Sequence, residues 1–340
     1  MNATTIPGTQ SAAGTVPRAD YGDVRAEFHA LLSGCGVYDL GWRAKISLTG
    51  SDRVRWLNGM VSNNVRDLAA GRGVYAFLLN AQGHIQADLY AFNRGESILV
   101  DAERSQREKI LQIFDHYIIA DDVEVRDISG GLTALGLTGP ESRSVFELAG
   151  IAIPDLGYLQ FADVQWRQIP LTVLHSGEEA KDSWQVWIAP DHVSALWDAL
   201  VKAGARPAGT EGLNLFRISR GIPQFSQDIR ERDLPQETGQ MRALSFTKGC
   251  YLGQEIVERI RSRGAVHREF RAFAVQGPLP APGTKIQTEG KHVGDVTSSV
   301  VLPLPAGDRP AALGYLRREA VGKELQAAEA RLELTQTPIT

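Results

Sequence analysis

Cysteine is scarce in this sequence, since only Cys35 and Cys250 occur in 340 residues. Two cysteines so far apart cannot build a disulfide framework, so ordinary hydrophobic cores must hold the fold. An iron-sulfur cluster usually takes more protein thiolates than this chain has, so the chain alone does not supply a conventional cluster site. Work on clusters would need ligands from another molecule, or an indirect role.

Long apolar runs are also missing: the longest, such as residues 73–80, have the length of a strand, whereas a membrane span needs about 20 apolar residues. The net charge of −4 argues against a basic nucleic-acid platform. The N-terminal segment lacks the hydrophobic stretch of a signal peptide and the arginines of a transit peptide. We therefore expect a cytoplasmic protein without membrane or direct nucleic-acid binding, preceded by a flexible tail over residues 1–22.

Composition and length favour a globular protein of several domains, with 43% hydrophobic and 22% charged residues. Helical and strand patterns alternate up to about residue 265, which predicts an α+β region over residues 23–265. Beyond Arg268, short strands are interrupted by glycine and proline, a pattern typical of a small β-barrel. We assign this barrel to residues 266–340.

A helix followed by a β-hairpin is predicted in the first third of the chain. The helix begins near Asp52 and has Val54, Leu57 and Val61 as its apolar face. Strands follow at residues 74–80 and 85–92, joined by a turn at 81–83, and a third strand continues them as an antiparallel meander. Strand alternation places Asp88 on the polar face of the hairpin, either towards a ligand or towards solvent.

The other cysteine and the histidines offer little chemistry. No charged residue adjoins Cys35, so we expect it to be a buried structural cysteine. The histidines show no spacing typical of a metal site, so no dedicated zinc or non-haem iron centre is expected.

The segment from Lys248 to Glu255 combines features that neither a core strand nor a surface helix needs. Gly249 and Gly253 bracket Cys250 and allow backbone turns that a side chain would obstruct. Lys248 is two residues away and a helix is predicted after the cysteine, and both a cation and a helix N-terminus favour thiolate over thiol. The pattern indicates a nucleophile, a redox thiol or a metal ligand, with a glycine-rich turn around a buried cysteine as the plainer alternative.

Basic residues are concentrated around this segment, with eleven arginines and lysines between Arg217 and Arg271. We expect most of them to form an ordinary solvated surface, while the rest face an acidic ligand or partner.

The string Lys-Gly-Cys-Tyr-Leu-Gly-Gln-Glu at residues 248–255 resembles the signature of the YgfZ family of folate-binding proteins, which includes a mitochondrial iron-sulfur assembly homologue. The similarity extends through residues 50–59, 83–89 and 217–223. The wider superfamily contains the glycine-cleavage T-protein, an aminomethyltransferase. The resemblance implies an α+β fold of the T-protein type, a three-lobed ring around a central tetrahydrofolate site, with the small C-terminal β-barrel.

By this resemblance Cys250 carries the essential thiol of the family. The residues implied to shape its loop are Lys248, Gly249, Tyr251, Gly253, Gln254 and Glu255. The family supports iron-sulfur enzymes, including enzymes that thiolate tRNA. We therefore predict a tetrahydrofolate-binding accessory protein whose partners are folate and the iron-sulfur client or assembly proteins.

The same resemblance implies three folate contacts. Asp88 matches the T-protein aspartate that lies near the reactive folate nitrogens. Asp101 stands in the place of a folate-contacting asparagine of the T-protein. Asn63 is a pocket residue by position, or else only the end of a helix.

Two departures from the T-protein favour an accessory role over aminomethyl transfer. Ser219 stands where the T-protein has an acidic residue, and Cys250 occupies the place of an aspartate. Asp88 nevertheless keeps a folate-dependent aminomethyl- or methyltransferase as the alternative. A third possibility is a protein-protein adaptor in which folate only stabilises the fold.

Overall fold

A computed structural model describes residues 17–177, 182–264 and 266–339 of the chain. The flexible tail predicted for residues 1–22 lies outside the described residues as far as residue 16. The chain divides into two compact units. The first unit comprises Met1–Asn58, Asn64–Tyr75 and Leu89–Leu213, and the second comprises Gly59–Asn63, Ala76–Asp88 and Asn214–Thr340. The domain boundaries that we placed at residues 22 and 265 stay a prediction.

The α-helices of the described residues are short and amphipathic. In chain order they are α1 (Val24–Ser33), α2 (Arg53–Met60), α3 (Arg107–Tyr117), α4 (Ser142–Leu148), α5 (Val193–Lys202), α6 (Thr210–Ser219) and α7 (Gln254–Arg263). The first of them shows how local sequence sets a boundary, because the Asp23 side chain accepts a hydrogen bond of 2.9 Å from the Ala26 N–H at the helix start. No described helix has the length and apolar character that crossing a membrane requires.

The strands run through both units. In chain order they are β1 (Gly36–Asp39), β2 (Arg43–Thr49), β3 (Arg72–Leu79), β4 (Ile85–Asn93), β5 (Ile98–Glu103), β6 (Glu124–Asp127), β7 (Thr133–Thr138), β8 (Phe161–Trp166), β9 (Ile169–His175), β10 (Ser183–Ile188), β11 (Arg206–Pro207), β12 (Arg268–Gln276), β13 (Lys285–Thr288), β14 (Lys291–Leu304), β15 (Gly307–Arg317), β16 (Leu325–Ala327) and β17 (Ala330–Thr335).

These strands form two open sheets and a closed barrel. One sheet has the order β11-β1-β7-β10-β9-β8, and the other has the order β3-β4-β5-β2-β6. The second order confirms the predicted meander of β3, β4 and β5. The barrel closes in the order β12-β15-β14-β13-β16-β17, with β12 and β17 antiparallel. Closure leaves no unpaired edge strand.

Each unit has its own hydrophobic core. In the first unit Val37, Leu135 and Trp184 are among the buried residues that pack together between the sheet and its helices. Cys35 belongs to the same core with 2% of its surface exposed, which confirms that it is a structural cysteine. In the second unit the barrel interior is filled by residues such as Phe273 and Val296.

Val61 corrects one element of the sequence analysis. We predicted it on the apolar face of α2, but the helix ends at Met60 and Val61 instead forms an antiparallel bridge with Leu78 of β3. A β-branched residue is at least as well suited to a strand as to a helix, and the edge strand β3 provides the pairing partner.

Candidate functional site

The Cys250 loop, defined as residues 245–253, is held at both ends by one short segment of the second unit. Near its start the Ser245 N–H donates to the Ser62 carbonyl at 3.0 Å, and near its end the Leu252 N–H donates to the Gly59 carbonyl at 3.1 Å. Both acceptors lie in the segment Gly59–Asn63. The loop therefore takes its shape from backbone pairing with a distant part of the chain.

Ser62 ties the hairpin to the residues before the loop. Its buried hydroxyl donates to the Ala243 carbonyl at 2.6 Å and accepts from the Phe77 N–H at 2.9 Å. No local pattern in the sequence indicates a serine that bridges segments so far apart in the chain. The satisfied hydroxyl fixes the strand beside the Cys250 loop.

Lys248 anchors the loop. Its ammonium group donates to the carbonyls of Val61 at 2.6 Å and Asn63 at 2.8 Å, and it lies 4.9 Å from the ring centroid of Tyr251. These contacts give Lys248 a structural task within the loop. The activation of Cys250 by this cation stays a prediction.

Two glycines let the loop and the hairpin turn pack in close contact. Gly253 has φ 82°, and a Cβ atom there would lie 2.5 Å from the Asn80 carbonyl oxygen and 2.9 Å from the Leu79 Cβ. Gly83, in the turn itself, has φ 74°, and its Cβ would lie 2.7 Å from the Ile256 Cβ. Neither position accepts a side chain without moving backbone or a neighbouring β-branched residue.

The helix predicted after the cysteine is confirmed as α7. Its first residue, Gln254, accepts a hydrogen bond of 3.0 Å from the Tyr251 N–H through its side-chain oxygen. Glu255 is exposed in the first turn, where a negative charge complements the helix dipole. Gly249 is exposed beside the cysteine. All seven motif residues thus belong to one loop and the helix start that follows it.

The two thiols lie in opposite environments. Cys250 is a free and exposed thiol, so the alternative of a buried cysteine in a glycine-rich turn is wrong. Cys35 is buried, and burial raises the pKa of its thiol to about 11, although a contact of 3.6 Å with the Ser142 hydroxyl acts in the opposite direction. Only Cys250 is placed to meet another molecule.

This difference predicts the thiol count in solution. Near pH 8 a disulfide reagent such as dithionitrobenzoate should modify one cysteine per native chain and two after denaturation, because burial shields Cys35 and raises the pKa of its thiol well above that pH. Absorbance of the released thiolate measures both counts. The Cys250→Ala variant should give none in the native state, and rapid modification of that variant would contradict the assignment.

Tyr251 places a buried hydroxyl beside the exposed thiol. The residue is 8% exposed, and within the described part of the chain its hydroxyl has no hydrogen-bond partner. Burial, helped by the negative charge of Glu258, raises its pKa to about 12. An unsatisfied buried hydroxyl costs about 1–3 kcal/mol of stability, so this side chain destabilises the loop.

Asp88 and Asn63, two of the predicted folate contacts, belong to the same unit as Cys250. Asp88 is half-buried, and the burial pattern of β4 places Ile85 and Ala87 on the core side, which confirms the predicted alternation. The Asn63 side chain donates to the Arg242 carbonyl at 2.8 Å, while its own carbonyl accepts from Lys248. Asn63 therefore contributes to the anchorage of the Cys250 loop.

Asp101, the third predicted contact, is a buried ion-pair residue of the first unit. Only 1% of its surface is exposed, and its two carboxylate oxygens accept from Arg43 Nε and from Lys45 Nζ at 2.5 Å each. Burial alone would raise the pKa of Asp101, but the two cations outweigh it and the pKa is lowered. Burial lowers the pKa of Lys45, which shares a single anion with Arg43.

The arginines around the motif differ in part from our expectation of a solvated surface. Arg217, Arg230 and Arg268 form ion pairs with carboxylates of the second unit that are fully buried. Among the described residues no group of three or more His, Cys, Asp and Glu side chains is placed to hold a metal ion.

The fold defines the class of protein. The chain superposes on the aminomethyltransferase T of the glycine cleavage system of Bartonella henselae with a TM-score of 0.85, covering 98% of this chain and 93% of that one at 20% identity. This match, together with the closed barrel, confirms the predicted α+β fold of the T-protein type with a C-terminal β-barrel.

Sequence comparison then gives the family. Residues 15–248 match the GCVT N-terminal domain, so the chain belongs to the GCVT family, and residues 268–339 match the C-terminal β-barrel domain of CAF17. An aminomethyltransferase of Rubrobacter xylanophilus is 28% identical over 306 residues, which cover 89% of this chain and 81% of that protein. An aminomethyltransferase of Streptomyces coelicolor is 26% identical, with 94% and 90% covered.

Proposed function

We propose that this protein is a cytoplasmic, tetrahydrofolate-binding accessory factor that supports the assembly or repair of iron-sulfur clusters in client enzymes, tRNA-modifying enzymes among them. The observation that carries the proposal is the exposed thiol of Cys250 on a loop that is tightly anchored around it. The match of the barrel to the C-terminal domain of CAF17, beside the GCVT domain, also supports the proposal, because it agrees with the resemblance of residues 248–255 to the YgfZ family.

The chemistry assigned to Cys250 is that of a single ligand. After losing its proton, the thiol donates an electron pair to iron of a cluster that the client or an assembly protein also holds. Cys35 is buried in another unit, so the described residues offer one accessible thiol. The client must then supply the remaining ligands, and the cluster is cargo rather than a resident group.

Asp88 fits the folate best among the predicted contacts. Its half-buried carboxylate stands on the polar face of β4, where it can accept hydrogen bonds from the N–H groups of a pterin ring. Bound tetrahydrofolate would supply one-carbon chemistry. In this proposal Asp101 has a structural role, because its carboxylate is enclosed by two cations and a ligand has no surface of it to touch.

The Asp88→Asn variant should weaken tetrahydrofolate binding by about tenfold to a hundredfold, the loss expected for a hydrogen bond to a charged group. Calorimetric titration under anaerobic conditions measures the change. The matched control is Asp115→Asn, which makes the same replacement on an exposed position of α3. Equal affinity in Asp88→Asn and the wild type would remove Asp88 from the site.

A second candidate function is a folate-dependent aminomethyl- or methyltransferase with Asp88 as the acid/base or charge-stabilising group. The similarity of the chain to the two aminomethyltransferases named above favours it. Ser219 counts against it, since the T-protein has an acidic residue there, whereas this serine is buried and donates to the Phe216 carbonyl at 2.8 Å.

Anaerobic cluster reconstitution of a client enzyme separates these functions. We expect reconstitution to be faster with the protein and tetrahydrofolate together, and the acceleration to be lost with Cys250→Ala. Formation of formaldehyde or methylene-tetrahydrofolate from an N-methyl donor would instead establish the transferase. If Cys250→Ser accelerates as well as the wild type, the protein is an adaptor whose folate only stabilises the fold.

A further inference from the structure

A cluster of ion pairs joins the C-terminal barrel to one short segment of the second unit. We call residues 230–238 the clasp loop. The buried Asp233 accepts from Arg268 Nη2 at 2.8 Å, and Arg268, the first residue of β12, also binds Glu237 at 2.9 Å. Arg230 binds Asp233 at 3.3 Å and Asp295 of β14 at 2.6 Å. Two barrel strands thus hold the clasp loop through charge-assisted hydrogen bonds.

Tyr315 of β15 completes this arrangement. The Arg230 Cζ lies 5.0 Å and the Arg268 Cζ 4.7 Å from the centroid of its fully buried ring. A guanidinium group close to an aromatic ring gains a cation–π interaction, and two such groups lie near this ring. These contacts favour the positions from which both arginines reach Asp233.

The backbone of the same loop holds the hairpin that carries Asp88. The Asp233 carbonyl accepts from the Ile85 N–H at 3.1 Å, and the Arg232 carbonyl lies 3.0 Å from the His84 Nδ1. Ile85 begins β4, three residues before Asp88. Asp233 therefore binds the barrel with its side chain and the hairpin with its main chain.

A side chain of the clasp loop also reaches the helix that follows Cys250. Gln236 Nε2 donates to the Val257 carbonyl in the first turns of α7 at 2.9 Å. The same turns pack on the hairpin through Gly83 and Gly253. The clasp loop thus lies between the barrel and both elements of the candidate site.

We propose that the clasp loop is the device by which the C-terminal barrel positions the folate-binding hairpin and the Cys250 loop, with Asp233 as the central positioning residue. In this proposal the barrel contributes to function without binding a ligand itself. Its contribution is to fix where Asp88 and Cys250 stand. The effect of the clasp loop on tetrahydrofolate binding rests on the proposed function. The coupling of the barrel to the hairpin and the Cys250 loop does not.

Hydrogen exchange followed by mass spectrometry tests the coupling. The Arg268→Gln variant removes the cation shared by Asp233 and Glu237, and we expect residues 80–88 and 250–257 to exchange about tenfold faster, as for the loss of a charge-assisted hydrogen bond. Exchange in residues 285–335 of the barrel should stay as in the wild type. The matched control is Arg331→Gln, the same replacement on an exposed barrel strand, which should change neither region.

A milder variant keeps the test decisive if Arg268→Gln does not fold. Gln236→Met leaves the side chain uncharged and of similar size but removes the hydrogen bond to the Val257 carbonyl. Residues 250–257 alone should therefore exchange faster. Unchanged exchange of these residues in Gln236→Met, or an equal increase throughout the barrel in Arg268→Gln, would overturn the proposal.

Tetrahydrofolate titration of the same variants separates this inference from the proposed function. We expect Arg268→Gln to weaken binding by about tenfold at a temperature well below its unfolding transition, while Arg331→Gln binds as the wild type does. If the wild type binds no tetrahydrofolate, the proposed function fails and the exchange data still decide the clasp. Wild-type affinity in Arg268→Gln would show that the clasp does not position the binding site.

Discussion

Replacing Cys250 with alanine should reduce the activity of iron-sulfur enzymes in cells to the level of a strain that lacks this protein. The thiol is exposed, so its removal takes away the one accessible thiol of the described residues while leaving the anchoring contacts of Lys248 in place. An exposed substitution of this kind changes stability by about 0.5 kcal/mol or less. Folding and tetrahydrofolate binding should therefore match the wild type, as measured by thermal unfolding and calorimetry.

The control for this experiment lies in the same chain. Cys35→Ala removes a sulfur from the core of the first unit, so it should lower the unfolding temperature and yet retain support of the cluster enzymes. Cys250→Ser tests whether a hydroxyl can replace the thiol, and we expect it to behave like alanine. Normal cluster-enzyme activity in cells carrying Cys250→Ala would refute the proposed role.

Asp101→Asn should destabilise the first unit by about 3–5 kcal/mol, because it leaves the Arg43 and Lys45 cations without their shared anion. The unfolding temperature should fall on the order of 10 °C, measurable by calorimetry. The matched control is Asp163→Asn, the same replacement in a pair with Arg94 whose carboxylate is largely exposed. Exposed pairs contribute about 0–1 kcal/mol, so this control should shift the transition little.

The pH dependence of the Asp101 effect has a defined sign. The pKa of Asp101 is lowered in the folded protein. Its contribution to folding stability is therefore complete above its unfolded pKa of about 3.9 and is lost as the pH falls through the lower folded value. The difference in the free energy of unfolding between the wild type and Asp101→Asn should therefore be constant near neutrality and become smaller below about pH 4.

Adding Lys45→Met to Asp101→Asn should restore part of the stability, since it removes an uncompensated buried charge. No recovery would argue against the ion pair as the cause.

Elements with a strong local pattern could be predicted from the sequence. Helix α7 follows the cysteine as predicted, and the glycine turn at residues 81–83 joins β3 and β4. Strands β16 and β17 were not predicted. The alternation of apolar and polar residues in β17 is a local strand signal that our prediction missed. The pairing of β17 with β12, which closes the barrel, is long-range and cannot be predicted from local periodicity.

The same distinction between local signals and long-range contacts applies to the candidate site. The motif around Cys250 could be found because its glycines and its resemblance to a family are local features. Ser62 could not, because its partner Ala243 lies 181 positions away. Asp101 did carry a signal, since a charged residue between Val100 and Ala102 in an apolar strand requires buried partners. Its partners, however, stand on β2, which only the sheet order reveals.

The division of the chain has a consequence for its synthesis. The first unit is complete once Leu213 has left the ribosome, whereas the second also needs the segments Gly59–Asn63 and Ala76–Asp88, which emerge early, together with everything beyond Asn214. At about 5–20 residues per second, these early segments emerge on the order of ten seconds before the rest of the second unit. Strand β4 follows β3 directly, so the hairpin can pair at once. The second unit, in contrast, can be completed only after the barrel strands have been synthesised.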